Sequence, residues 1–354
     1  MTNKPVFNGD ALMIARRSRG ISQKDLASEI GITPATLCKL ERDDLSIKED
    51  LLEKIANVLR YPKSFFAKDV SVLTPNIIYY RKRAAARNPE IDIIDSQVHI
   101  ERFRIKQLLK SLDLNQKLEP MNPVDYDSPE HIARIVRNKL SVPTGPIKNL
   151  VSTIERAGVL IVTTDYNIDK LDGMVVPDPD ALPVIYINKT MSGDRQRATL
   201  AHEFGHWIMH NAFNPTALED VEDEAYRFAG EFLVPAKEFQ IMVNEKTSLS
   251  GYADLKRYWK VSIQFLVMRA YKLKIISDER YRSLFQQISR LGYRKKEPID
   301  IPIEVPVLIS SMIRAHLNDL DMSIDEIENH IGLLVDDIRH RIHSQGGNGM
   351  MKVA

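Results

Sequence analysis

Cysteine is almost absent. The single Cys38 in 354 residues allows no intrachain disulfide and excludes every multi-cysteine zinc cluster. So low a count fits a reducing compartment. No apolar run approaches the roughly 20 residues of a membrane span, and residues 1–20 lack the apolar core of a signal peptide. The expected location is therefore cytoplasmic, with no membrane partner. An excess of one charge is missing too: 49 Lys and Arg against 48 Asp and Glu leave +1 at pH 7. A chain binding nucleic acid along its whole length would be strongly basic, so any such binding belongs to one module. Glycine is sparse, and neither a glycine-rich phosphate loop nor an internal repeat is legible. The remainder, 44% hydrophobic and 27% charged, is ordinary for a globular protein of two to three domains.

From Gly9 to Phe66 the pattern is helical with short breaks. Leu12, Ile14 and Ala15 form one apolar stripe before a turn at Arg16–Gly20. Ser22 is a good N-cap, Leu26, Ala27 and Ile30 follow at helical spacing, and Gly31 stops the helix. Thr33-Pro34 supplies the next cap and first-turn proline. The third helix turns Leu37 and Leu40 inward and presents Ala35, Thr36, Lys39 and Arg42, and a fourth spans about Lys48 to Leu59. Two helices joined by a tight glycine-containing turn can place the second in a DNA major groove.

This stretch resembles the Xre/Cro-type helix-turn-helix family through Gln23, Leu26-Ala27 and Leu40-Glu41-Arg42. The resemblance implies binding of double-stranded DNA, with Gln23 and Arg42 on backbone phosphates and Pro34, Ala35, Thr36 and Lys39 along the base edges. Asp43-Asp44 stands where that family usually has glycine. Aspartate tolerates a left-handed turn, but carboxylates near phosphates oppose binding. Residues 1–66 carry 11 basic and 9 acidic side chains, so the module is only weakly basic. A homodimer would match the two half-sites such modules read.

A cationic run, Tyr79 to Arg87, reads as a solvated helix end. Ile91 to Leu112 has amphipathic helical spacing, and Leu118–Pro129 reads as a loop. A helix from about Pro129 to Leu140 follows, then a helix ending at Gly158 and a strand, Val159–Thr164. Two further short strands are expected within Asp172–Asp178 and Leu182–Thr190. Helical spacing returns with His202-Glu203-Phe204-Gly205-His206, an HExxH motif. Residues i and i+4 project from one helix face about 6 Å apart along the axis, so both imidazoles can reach one metal ion. Glu203 borders that site and can accept a proton from a water at the metal.

Two histidines do not complete a site, because tetrahedral zinc takes a third protein ligand and keeps one position open. His210 cannot join on a straight helix, since the rise from His202 is about 12 Å against metal–nitrogen bonds of ~2 Å. The next helix supplies acids. Its apolar positions Ala225, Phe228, Ala229 and Phe232 set the buried side. Glu224 borders that side, Glu222 and Asp223 point more outward, and Glu231 is the runner-up. Arg195 and Arg197, just before the motif, read as salt-bridging residues rather than oxyanion donors.

Taken together, these residues resemble the ImmA/IrrE family of metallo-endopeptidases. The match includes Asp172-Gly173, Val184–Asn188, Gly193 through Glu203, and Glu224-Ala225 through Phe228-Ala229 to Leu233-Val234-Pro235. The resemblance implies a zincin-like domain, Zn2+ held by His202, His206 and the matching acid Glu224, and Glu203 as general base. It also implies a protein substrate such as a transcriptional repressor.

The expected architecture is mostly α with a small β-sheet. The helix-turn-helix bundle occupies 1–70, a linker and amphipathic helix 71–128, the zincin-like domain 129–245, a helical extension 246–298, and a C-terminal helical region with a disordered tail 299–354. The alternative to an enzyme is a transcription factor or antitoxin whose zincin-like domain senses a signal or binds a partner.

Overall fold

The computed structural model describes residues 7–70, 89–112, 114, 116–164, 172–178, 181–210 and 218–343. The cationic run at 79–87 and the glycine-rich end lie outside the described residues. The fold is mostly helical, with one three-stranded sheet among the described residues. It divides into two compact units, one formed by Met1–Leu114 with Val307–Ala354 and the other by Asn115–Pro306. No helix among the described residues is long and apolar enough to cross a membrane.

In the first unit the helix-turn-helix forms as its local signals dictate. Helices α1 (Gly9–Ser18), α2 (Gln23–Ile30), α3 (Pro34–Glu41) and α4 (Glu49–Leu59) surround a core of Leu12, Ala15, Leu26, Ile30, Leu37, Leu40 and Ile55. Ser22 caps α2 by accepting from the Asp25 amide at 3.1 Å, and Gly31 ends it in the left-handed region at φ 77°. Thr33 caps α3 from the Thr36 amide, with Pro34 at its first turn. Asp43 takes the left-handed conformation at φ 58°. Its carboxylate accepts from the Gly9 amide at 2.8 Å, so it serves the N-terminus of α1.

The amphipathic stretch forms α5 (Pro89–Leu109). It is buried on more than one side, with Ile100 and Phe103 in the helix-turn-helix core. Helices α14 (Leu308–Asn318) and α15 (Ile324–Ile331) also pack on α5, and α16 (Val335–His343) packs on both of them. Segments that read as separate in sequence thus share one unit with the helix-turn-helix. Buried Glu101 on α5 pairs with Arg104 and Arg341.

An internal similarity that the sequence did not disclose emerges here. Ser323 caps α15 as Ser22 caps α2, and Gly332 ends α15 at φ 63° as Gly31 ends α2. Buried Ile327, Ile331 and Ile338 fall at the spacing of Leu26, Ile30 and Leu37. Two of the three apolar pairs differ in residue type while all three positions agree, so the likeness is one of layout more than of letters.

In the second unit, α6 (Pro129–Lys139) and α7 (Leu150–Arg156) precede a sheet of order β1-β3-β2. Strand β1 (Leu160–Thr164) runs parallel to β3 (Val184–Asn188), with Leu160 opposite Val184. Strand β2 (Gly173–Val176) runs antiparallel to β3, with Met174 opposite Tyr186. Helix α8 (Gly193–Met209) packs on β2 and β3. Helix α9 (Leu218–Leu233) lies along α8 and α6. Gly205 permits that contact: a Cβ there would stand 2.8 Å from Phe228 Cδ1. Helices α10 (Ala236–Met242), α11 (Leu249–Trp259), α12 (Ile263–Lys272) and α13 (Asp278–Arg290) complete the unit, with Trp259, Leu266 and Leu284 in its core.

Candidate metal centre

Helix α8 carries His202 and His206 one turn apart, and both rings are buried. Their Nε2 atoms face each other at 3.0 Å. Across from them α9 contributes Glu222, whose Oε2 lies 3.4 Å from His202 Nε2 and whose Oε1 lies 3.7 Å from His206 Nε2. These three side chains are the one group among the described residues that could hold a metal ion. Two imidazole nitrogens and a carboxylate form a donor set suited to zinc. Burial, with the neighbouring His202 and His210 rings, holds His206 well below the usual histidine range, so it offers a neutral ring.

Glu224, expected as the third ligand, stands elsewhere. Its Oε2 lies 2.9 Å from His210 Nε2, and Glu222 faces the histidine pair in its place. The expectation followed the apolar stripe of α9, but the histidine pair is not in line with that stripe. Glu222 sits at its border, about one-third exposed. Glu231, the runner-up, is buried away from the centre, paired with Arg269 and Arg134 and accepting from the Ala236 amide at 3.1 Å. His210 stays out of the donor set, as its rise along the helix requires.

Glu203 lies beside the pair, only 1% exposed. The Val175 amide of β2 donates to its carboxylate, while Oε2 has no partner among the described residues. Burial, reinforced by the charge of Glu222, pushes its carboxyl up to about 8. Gly173 lets β2 come this close, since a Cβ there would stand 2.7 Å from Thr199 Cγ2 and 3.4 Å from Glu203 Cγ. A cation among these donors would engage both facing nitrogens and offset the crowding of carboxylates, so the residues fit a metal.

Two further residues border the centre. Tyr226, 65% exposed, sets its ring 4.3 Å from that of His202. One guanidinium nitrogen of Arg195 donates to both Asp172 oxygens, at 2.8 and 2.6 Å. Arg197 is buried on Glu304 and the Ile147 carbonyl, a structural role. Tyr226 and Asp172 carried no spacing signal toward the motif, because one projects from α9 and the other precedes β2.

In the helix-turn-helix, Pro34, Ala35, Lys39 and Arg42 are exposed and Thr36 is half-buried. Gln23, expected on a phosphate, is half-buried. Its Nε2 donates to Glu41 Oε2 at 2.6 Å, joining a buried pair in which Arg16 donates to both Glu41 oxygens.

Comparison with known families decides what these two sites belong to. Residues 12–66 match the family model described as Helix-turn-helix, and residues 154–271 match a peptidase family described as the IrrE N-terminal-like domain. The chain joins a helix-turn-helix domain to an IrrE N-terminal-like domain. No curated protein matches the chain. The IrrE-like match spans the sheet, α8 and α9, and so contains every side chain of the metal centre.

Proposed function

We propose that this protein is a cytoplasmic, DNA-binding transcriptional regulator whose second unit is a zinc-dependent endopeptidase acting on a repressor or similar regulatory protein. The observation that carries the reading is the convergence of His202, His206 and Glu222 beside buried Glu203. A zinc ion held by those three residues would supply a Lewis acid that polarises a peptide carbonyl and acidifies water. Glu203 is the proton carrier. The Val175 amide fixes its carboxylate, and Oε2 is free to take a proton and return it to the leaving amine. The DNA contacts fall to exposed Lys39 and Arg42, with Pro34, Ala35 and Thr36 lining the base edges.

Glu203→Gln tests the reading. The variant should keep zinc, read as metal content of the purified chain, and lose cleavage of a co-expressed repressor substrate. Cleavage that persists in Glu203→Gln would remove Glu203 from the chemistry. Regulation that survives the change intact would mean that proteolysis is not how the protein works.

A further inference from the structure

His210 and Glu224 are both unused by the mechanism above, yet they form a chain that ends on a metal ligand. His206 Nδ1 lies 3.1 Å from His210 Nδ1, and His210 Nε2 lies 2.9 Å from Glu224 Oε2. His210 is 2% exposed, at the C-terminal end of α8, and its amide donates to the His206 carbonyl at 2.8 Å.

Chemistry leaves one arrangement of protons along this chain. His206 turns Nε2 toward His202 and Glu222, so that nitrogen must keep its lone pair to bind a metal, and the ring proton sits on Nδ1. Nδ1–H points at His210 Nδ1, which must therefore accept. The His210 proton then sits on Nε2 and is donated to the Glu224 carboxylate. Metal-bound histidines generally hand their second N–H to a fixed acceptor, which sets tautomer and ring orientation. His202 has no counterpart, because its Nδ1 is buried without a partner among the described residues.

We infer that His210 and Glu224 are positioning residues for the metal centre, a relay that locks His206 in the tautomer and orientation that bind zinc. The inference rests on the metal-centre reading above and places His210 one step and Glu224 two steps behind the ligand His206. It also accounts for two acids, Glu222 and Glu224, on one short segment of α9: one faces the ligand nitrogens and the other faces His210, which stands behind the His206 ring.

The test is zinc affinity of the full chain, measured by competition with a chromophoric chelator, together with the visible absorption of the cobalt-substituted protein. Glu224→Gln is about one-third exposed and should fold normally. It should bind zinc about tenfold more weakly, within the usual range for such outer partners, while cobalt keeps the wild-type band pattern. His210→Ala should lose at least as much. His210→Asn should recover much of that loss, because its Oδ1 can accept from His206 Nδ1–H. His206→Ala and Glu222→Gln, which remove ligands, should lose more and change the cobalt spectrum. Wild-type affinity in both Glu224→Gln and His210→Ala, with binding abolished in His206→Ala, would overturn the relay and leave the metal centre standing. Loss in Glu224→Gln equal to that in His206→Ala, with Glu222→Gln unaffected, would make Glu224 a direct ligand and also overturn it. A wild-type chain that takes no zinc would overturn both readings.

Discussion

Helix α8, which carries the histidine pair, is anchored at its first turn by a buried ion cluster, and Lys256→Met should show how much that anchor contributes. Lys256 on α11 is 2% exposed, with its Nζ 2.6 Å from Asp194 Oδ2 and 2.7 Å from Glu297 Oε2. Asp194 opens α8, where its Oδ1 accepts from Ser192 Oγ and the Arg195 amide. Glu297 accepts from the Ile263 and Gln264 amides at the start of α12. One ammonium therefore ties together the starts of two helices. Methionine keeps most of the volume but leaves two buried carboxylates with no cation. Removing one partner of a buried ion pair costs about 3–5 kcal/mol, a large share of the ~5–15 kcal/mol that holds a domain together. The corresponding fall in Tm is roughly 6–20 °C for a domain of this size. Thermal or urea unfolding of the full chain at pH 7 reads the loss. In the variant the two buried carboxylates face no ammonium, so the penalty falls on their ionised forms and should shrink as the pH is lowered. Adding Glu297→Gln should for the same reason recover part of the loss. A cost below about 1 kcal/mol, or one that does not change between pH 7 and 5, would refute the argument.

Three other outcomes are expected. Gly205→Ala gains about 1 kcal/mol of helix propensity but sets a methyl 2.8 Å from the fully buried Phe228. Overpacking of ~1–3 kcal/mol should win, seen as a lower Tm and weaker zinc binding as α8 and α9 move apart. Burial pushes Glu101 upward, but Arg341 and Arg104 outweigh it and hold the carboxyl at about 2. This depressed value gives roughly 3 kcal/mol at neutral pH, fully present above the unfolded value near 4.5 and lost as pH falls toward 2. Glu101→Gln should flatten that acid limb in pH-dependent unfolding, and an unchanged limb would rule out the cluster as its source. Lys39→Ala with Arg42→Ala should weaken operator binding and lower its salt slope by about one to two, at ~0.9 per phosphate contact; an unchanged titration would place the DNA elsewhere.

What could be read in advance follows the range of each signal. Ser22, Gly31, Thr33 and Pro34 act within four residues of themselves, and the helices they bound formed where their spacing put them. His202 and His206 share one helix, so their approach needed no tertiary knowledge. The strand order was not legible, because β3 lies between β1 and β2 through pairings that no local pattern encodes. Nor could the partner of Arg197 be found, since Glu304 reaches it from the far end of the unit. That Glu222, read from the sequence as pointing outward, faces the histidine pair has a more instructive reason. Apolar periodicity marks the side of α9 that meets the core, whereas a metal ligand must meet two nitrogens at the border of that core.

The two helix-turn-helix layouts of the first unit separate the same two kinds of information. An N-cap, a left-handed glycine and three buried apolar positions suffice to fold α2–α3 and α15–α16 alike. Those residues are caps and core, not an exposed recognition face. At the positions of Ala35, Thr36, Lys39 and Arg42, α16 carries Asp336, Asp337, His340 and His343. Phosphate attraction scales with the cations presented, and two carboxylates at the start of the helix oppose it. Gly332 instead packs on Phe65, where a Cβ would stand 2.7 Å from the ring, and its carbonyl accepts from Arg104. The second copy therefore uses the layout for packing against the first unit's own core. A reading function for the first copy would stand on Lys39 and Arg42, as a hydrolytic function for the second unit would stand on Glu203 and the donors beside it, and in neither case on the fold that presents them.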